Sequence, residues 1–123
     1  MSKYAILVTS ASDTPEGRGK MAHALIIGRD IIANGGEVRY LYQGIGVTWL
    51  KAFNTQEHPF TTHYLEKFNE MKPHIMGACN FCTNGRFEVG DDVREMGVTI
   101  LGDDGDHFGV GDLVQQGYQL LSF

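Results

Sequence analysis

The chain has 123 residues, of which 42% are hydrophobic and 20% are charged, and its formal net charge is -5. This length accommodates one hydrophobic core, so we expect a single domain over residues 1–123, and the composition excludes a disordered or fibrous protein. The acidic balance argues against nucleic acid as a partner, and no apolar run approaches the ~18 residues that a membrane span needs.

The first third of the chain predicts a strand, a helix and a second strand. The run Lys3–Thr9 is short, mostly apolar and rich in β-formers, which is typical of a buried strand. Apolar residues recur at helical spacing over Lys20–Asn34, and the two glycines that follow predict the end of that helix. Side chains alternate over Glu37–Tyr42, which predicts the second strand. Short connections between these elements indicate a parallel βαβ unit.

The middle of the chain predicts two helices. The apolar segment after Gly46 has helical spacing, and its Trp49 and Phe53 fit either the core or a subunit contact, of which we favour the contact. A second helix is predicted to begin at an N-cap formed by Thr61 and to end at Pro73.

The remaining residues predict three more strands separated by two short helices. In chain order we expect a strand over His74–Ala78, a helix over Asp91–Met96, a strand over Val98–Leu101, a helix over Asp112–Gly117 and a strand over Tyr118–Phe123. Such alternation predicts a single-domain, three-layer α/β/α fold with a mostly parallel five-stranded sheet, flavodoxin-like in architecture.

The pair Cys79 and Cys82 follows the third predicted strand and is the principal candidate for covalent chemistry. Backbone N–H groups at the start of a following helix would lower a thiol pKa, and a thiolate attacks persulfide or disulfide sulfur. The second cysteine would then resolve or accept the sulfur. Two cysteines three residues apart cannot join distant segments, so we expect a reducing compartment and a cytoplasmic protein.

Three other uses of the cysteine pair stay open. Either thiol can serve as a small apolar side chain at a strand end. A structural zinc site needs four ligands, and the chain has no second cysteine pair, so His58, His63, His74 and His107 are the candidates for the remaining ligands. A thioredoxin-type dithiol has the right spacing, although that motif normally lies near the first βαβ unit. We therefore expect no bound metal.

Two loops provide rival sites at the carboxyl edge of the predicted sheet. The segment 10–17 occupies the position where flavodoxin-like proteins bind a flavin phosphate, but Asp13 and Glu16 place negative charge there. The acidic segment 102–107 suggests a divalent cation, although its spacing does not fit an EF-hand and favours a solvated loop. No cofactor is therefore expected.

Several segments together resemble the DsrE-like family of sulfur-relay proteins, which includes the Tus and Dsr subunits and the YchN-like proteins. They are the opening strand and its loop, the helix that ends in Asn34-Gly35-Gly36, the Gly44-Ile45-Gly46-Val47 segment, Ala78-Cys79-x-x-Cys82, and the closing strand from Tyr118 to Phe123. The resemblance implies a parallel α/β fold, assembly into a homotrimer or homohexamer, and a cysteine that carries sulfur as a persulfide. By this resemblance Cys79 corresponds to the sulfur-carrying cysteine and Cys82 to the second cysteine.

The leading hypothesis is a sulfur carrier or sulfurtransferase that holds sulfane sulfur as a cysteine persulfide and exchanges it with donor and acceptor proteins. Cys79 and Cys82 are its expected catalytic residues, and Arg86 is a nearby charge that assists them. The alternatives are a flavin- or nucleotide-binding module that uses the 10–17 loop, and a structural subunit of a homo-oligomer with idle cysteines.

Overall fold

A computed structural model describes residues 2–102 and 109–123. It contains one sheet of five parallel strands in the order β4-β3-β2-β1-β5. The strands are β1 (Lys3–Val8), β2 (Glu37–Tyr42), β3 (Ile75–Cys79), β4 (Ile100–Leu101) and β5 (Gln119–Ser122). The predicted three-layer α/β/α fold with a parallel five-stranded sheet is confirmed.

Helices connect the strands. They are α1 (Pro15–Ala33), α2 (Thr48–Thr55), α3 (Pro59–Met71), α4 (Gly90–Glu95) and α5 (Val110–Gln115). Two 3₁₀ turns, Gly44–Val47 and Lys72–His74, follow β2 and α3, and a π-helix, Phe81–Arg86, follows β3.

Helix α1 begins five residues before the predicted start at Lys20. The Thr14 hydroxyl accepts the backbone N–H of Gly17 at 2.9 Å, and Pro15 occupies the first helical turn, where its missing N–H costs nothing. The sequence prediction relied on apolar periodicity, which the glycines and charged residues of this first turn do not show.

Helix α3 begins at a different N-cap from the predicted one. His58 caps the helix, because its Nδ1 accepts the N–H of Phe60 at 3.0 Å. The Thr61 hydroxyl instead donates to the His58 carbonyl at 2.7 Å, from a position inside the first turn. The predicted N-cap at Thr61 was therefore wrong. His58 was overlooked because histidine is not among the usual capping residues.

The shorter elements are displaced by one or two residues from their predicted bounds. Strand β3 continues through Cys79, whereas β4 keeps only Ile100 and Leu101, which pair with Ala78 and Cys79. Residues 103–108, which include most of the acidic segment suggested as a cation site, lie outside the described residues.

The two faces of the sheet are distinguished by alternating side chains of β2. Tyr40 lies on the face covered by α1, where its hydroxyl donates to the Ala24 carbonyl at 2.7 Å. Its neighbour Arg39 lies on the opposite face, where its Nε donates to the Tyr118 hydroxyl at 3.2 Å. Residue alternation along the strand thus fixes which side chains enter the core.

Trp49 and Phe53 belong to the core. Their side chains are 0% and 2% exposed, and Phe53 stacks on Phe68 of α3 with ring centroids 4.1 Å apart. The predicted subunit contact for these residues was wrong, because α3 folds back over α2 and covers their apolar face.

The direction of the strand order reverses between β1 and β5. In open parallel sheets ligands favour the crevice at such a reversal, and the flavodoxin order 2-1-3-4-5 has its crevice next to β1. Here Phe123 extends the pairing of β5 with β1, because its carbonyl accepts the N–H of Thr9 at 2.7 Å and its N–H donates to the Leu7 carbonyl at 2.9 Å. Cys79 ends β3, which β2 separates from β1.

Candidate functional site

The cysteine pair lies at the carboxyl end of β3. Cys79 is the last residue of the strand, and Cys82 is the second residue of the π-helix that follows. Asn80 between them has helical backbone angles, which turns the chain directly from the strand into the helix. This abrupt turn is what brings side chains three residues apart to the same side.

The two thiols interact with each other. They are not joined in a disulfide, and the Cys79 side chain is hydrogen-bonded to that of Cys82. Burial raises the pKa of the Cys82 thiol above its usual value, and the hydrogen bond and charge of Cys79 raise it further. The ionisation of Cys82 therefore depends on its neighbour Cys79.

Gly44 supplies a hydrogen bond to this pair. Its backbone N–H donates to Cys82 Sγ at 3.1 Å, which opposes the rise in the pKa of Cys82. Gly44 has a φ of 57°, a left-handed conformation that glycine adopts without steric cost. Gly46 is equally constrained, since a Cβ there would lie 1.9 Å from the Val8 carbonyl oxygen. The sequence did not reveal the contact of this glycine turn with sulfur.

The expected lowering of the thiol pKa does not occur at Cys82. The sequence argument counted the N–H donors at a helix start and omitted the cost of burying a charge. Cys82 is 2% exposed and Cys79 is 0% exposed, so desolvation outweighs the contribution of Gly44 and the smaller one of Arg86. The Arg86 guanidinium lies 5.0 Å from the centre of the Phe87 ring.

The π-helix after β3 carries an exposed aromatic side chain. Phe81, between the two cysteines, is 45% exposed, and the next residue along the π-helix after Cys82, Thr83, is completely buried. The Thr83 hydroxyl has no hydrogen-bond partner among the described residues. An unsatisfied buried hydroxyl and a π-helix both indicate a segment that is less stable than a regular helix.

The rival loop at residues 10–17 has few features that would bind a phosphate. The first turn of α1 would supply the N–H donors, but the N–H of Gly17 is already bonded to the Thr14 hydroxyl. Asp13 is exposed beside this turn and carries the same sign of charge as a phosphate. The geometry is that of a capped helix start rather than of a phosphate cradle.

The histidines named for zinc do not form a cluster with the cysteines. Within the described residues, no three or more His, Cys, Asp or Glu side chains are close enough together to hold a metal ion. His58 is the N-cap of α3, and His63 packs edge-on against the Tyr64 ring. His107 lies outside the described residues.

Cavities occur at both ends of the sheet. A polar cavity of about 690 Å³ lies at the amino end, beside Lys3 and Gly36, and is remote from the cysteines. Two smaller cavities, of about 200 and 240 Å³, share Ser12, Asp13 and Glu57 as lining residues. The second of these also touches Phe87, whose N–H donates to the Cys82 carbonyl at 2.9 Å.

Comparison with known proteins gives no relative. No protein-family model matches the chain, and searches of curated proteins and of solved structures yield no significant match. Among the described residues, none of the helices combines the length and apolar character required of a membrane span.

Proposed function

We propose that the protein is a sulfur carrier in which Cys79 holds sulfane sulfur and Cys82 is the partner thiol. The observation that carries this proposal is the hydrogen bond between the two thiols at the carboxyl end of β3. Two thiols in contact permit one to act as a nucleophile while the other supplies or removes a proton. An isolated buried cysteine does not have this option.

The coupling between the thiols supports the assignment of roles. Cys82 has a raised pKa and is therefore the thiol that keeps its proton, and we assign the attack on the donor to Cys79. The Cys79 thiolate attacks the outer sulfur of a persulfide R–S–SH, and the donor S–S bond breaks. The thiolate RS⁻ leaves with the bonding electron pair and takes up a proton. No net oxidation occurs, and Cys79 now carries the terminal sulfur.

The same pair offers two ways to discharge the sulfur. An acceptor thiolate that attacks the terminal sulfur regenerates the Cys79 thiolate, again without net redox change. If Cys82 instead attacks the inner sulfur, a Cys79–Cys82 disulfide forms and hydrosulfide leaves. The dithiol is then oxidised while the sulfane sulfur is reduced to sulfide, so a thiol reductant is needed to restore the pair.

Sulfur exchange requires that a donor or acceptor reach the buried thiols. Both cysteines are buried, and the π-helix that follows Cys79 carries Cys82 together with the exposed Phe81. We propose that a donor or acceptor protein contacts Phe81 and displaces this helix. This arrangement protects the persulfide from other thiols between transfers.

The wider setting follows from the resemblance to the DsrE-like family. We propose membership of that family, assembly into a homotrimer or homohexamer, and a cytoplasmic location in which the thiols stay reduced. The parallel five-stranded sheet and the position of the pair after the third strand support this proposal. A shared fold by itself does not establish a shared activity, so the cysteine chemistry is the part to test.

The test is intact-protein mass spectrometry after incubation with inorganic polysulfide. Wild type is expected to gain sulfur that a thiol reductant removes, and Cys79→Ser is expected to gain none. Cys82→Ser is expected to gain sulfur and hold it longer, because no neighbouring thiol resolves it. The proposal is wrong if the wild type gains no sulfur under conditions in which an alkylating reagent modifies its cysteines, or if Cys79→Ser gains as much as wild type.

A further inference from the structure

A groove runs along α2 at the carboxyl edge of the sheet. It consists of the two cavities of about 200 and 240 Å³ that share Ser12, Asp13 and Glu57, and we call it the α2 groove. Its walls are the loop between β1 and α1, the helix α2, and the turn between α2 and α3. The sulfur chemistry proposed above does not use it.

Charged side chains of both signs line this groove without pairing with each other. Arg18 lines one cavity, Lys51 lines the other, and Asp13 and Glu57 line both. The ion pairs found among the described residues join other side chains, such as Lys20 with Glu16. Glu57 is oriented by the Thr55 hydroxyl, which donates to it at 2.9 Å. No ion pair among the described residues joins a cation of the groove to one of its carboxylates.

Two ring nitrogens add to this pattern. Trp49 lines the smaller cavity, is completely buried, and its indole N–H has no hydrogen-bond partner among the described residues. His58 lines the same cavity, and its Nδ1 already accepts the N–H of Phe60. When neutral, His58 therefore carries its proton on Nε2. A buried donor without an acceptor is uncommon in folded proteins, and a ligand acceptor is one way to satisfy it.

We propose that the α2 groove binds a small zwitterion of the α-amino-acid type. Arg18 and the indole N–H of Trp49 receive the carboxylate, and Asp13 and Glu57 receive the ammonium group. The indole nitrogen is closed to solvent, so a carboxylate reaches it only when a side chain of the groove wall shifts.

The chain contains a single tryptophan, so ligand binding has a specific reporter. The indole N–H resonance of Trp49 is followed by NMR while glycine, L-alanine and a panel of other L-amino acids are added one at a time. At least one amino acid is expected to shift this resonance in a saturable way. Acetate and methylammonium, which each carry half of the zwitterion, are expected to bind at least about tenfold more weakly.

Matched variants separate the groove from the rest of the surface. Arg18→Gln and Glu57→Gln are each expected to weaken binding of the amino acid about tenfold or more, because each removes a charge-assisted hydrogen bond. Lys20→Gln, which lies on the same helix as Arg18 but pairs with Glu16, is the control and is expected to leave the affinity unchanged. Trp49→Phe, measured by calorimetry, is expected to weaken binding without loss of the fold.

Two results would overturn the proposal. One is the absence of a saturable shift of the Trp49 resonance with any amino acid in the panel. The other is binding of acetate as tight as that of the best amino acid, which would show that Asp13 and Glu57 do not bind the ammonium group. Neither result bears on sulfur uptake by Cys79, because the two measurements have separate readouts.

Discussion

The backbone N–H of Gly44 donates to Cys82 Sγ at 3.1 Å and so connects the turn after β2 to the π-helix after β3. This contact joins two segments that are 38 residues apart in the sequence. It places a fixed dipole against a buried sulfur whose pKa is raised by burial and by Cys79. The ionisation of Cys82 thus depends on a backbone conformation as well as on side chains.

Gly44→Ala is expected to destabilise the fold by about 1–2 kcal/mol and to raise the pKa of Cys82 further. The left-handed φ of 57° is costly for alanine, and a shift of the backbone would weaken the N–H contact that lowers this pKa. Stability is measured by denaturant unfolding, and the pKa of Cys82 by the ultraviolet absorbance of its thiolate in a Cys79→Ser background.

Gly35→Ala is the matched control for that variant. Gly35 has a φ of 88°, and a Cβ at either glycine meets no described atom within 4 Å. The steric cost is therefore of the same origin, while Gly35 lies far from the thiols at the end of α1. An equal change of the Cys82 pKa in both variants would contradict the role assigned to Gly44.

Cys79→Ser is expected to lower the pKa of Cys82 relative to wild type. The hydrogen bond and charge of Cys79 both raise this pKa, and a serine removes the charge. The pH dependence of alkylation at Cys82, followed by mass spectrometry, measures the change. A pKa that stays constant or rises would show that the two thiols are not coupled as described.

Tyr40→Phe is expected to cost about 1 kcal/mol at neutral pH and to reduce the loss of stability in alkali. The cost arises from the lost hydrogen bond to the Ala24 carbonyl. Burial raises the pKa of Tyr40 above its ordinary value of about 10. Its contribution to stability is therefore present below about pH 10 and is lost as the pH rises towards the folded-state pKa. Denaturant unfolding of wild type and variant at pH 7 and at pH 11 would detect the difference; equal alkaline losses would contradict it.

Gly28→Ala is expected to destabilise the protein by about 1–3 kcal/mol or more, whereas Gly19→Ala is expected to stabilise it by up to about 1 kcal/mol. Both glycines lie in α1. A Cβ at position 28 would lie 1.9 Å from the Tyr40 hydroxyl, but one at position 19 meets no described atom within 4 Å. Thermal unfolding of the two variants tests the pair, and a stable Gly28→Ala would contradict the close packing of α1 on β2.

Local patterns in the sequence were sufficient to predict the architecture. Alternation over Glu37–Tyr42 predicted β2 with its observed bounds, and the alternation of strands and helices predicted the parallel sheet. These features depend on residues within a few positions of each other, which is the range that periodicity covers. The starts of α1 and α3 were missed because each depends on one capping side chain, Thr14 and His58.

The amino-acid sequence by itself determined the fold class and the presence of Cys79 and Cys82 at the end of a strand. Only the tertiary structure decided that the thiols contact each other, that burial raises the pKa of Cys82, and that Trp49 is in the core. The reason is that burial and a contact such as that of Gly44 with Cys82 depend on how separate segments pack. That packing depends on the whole chain, so it cannot be predicted from the local pattern of either segment.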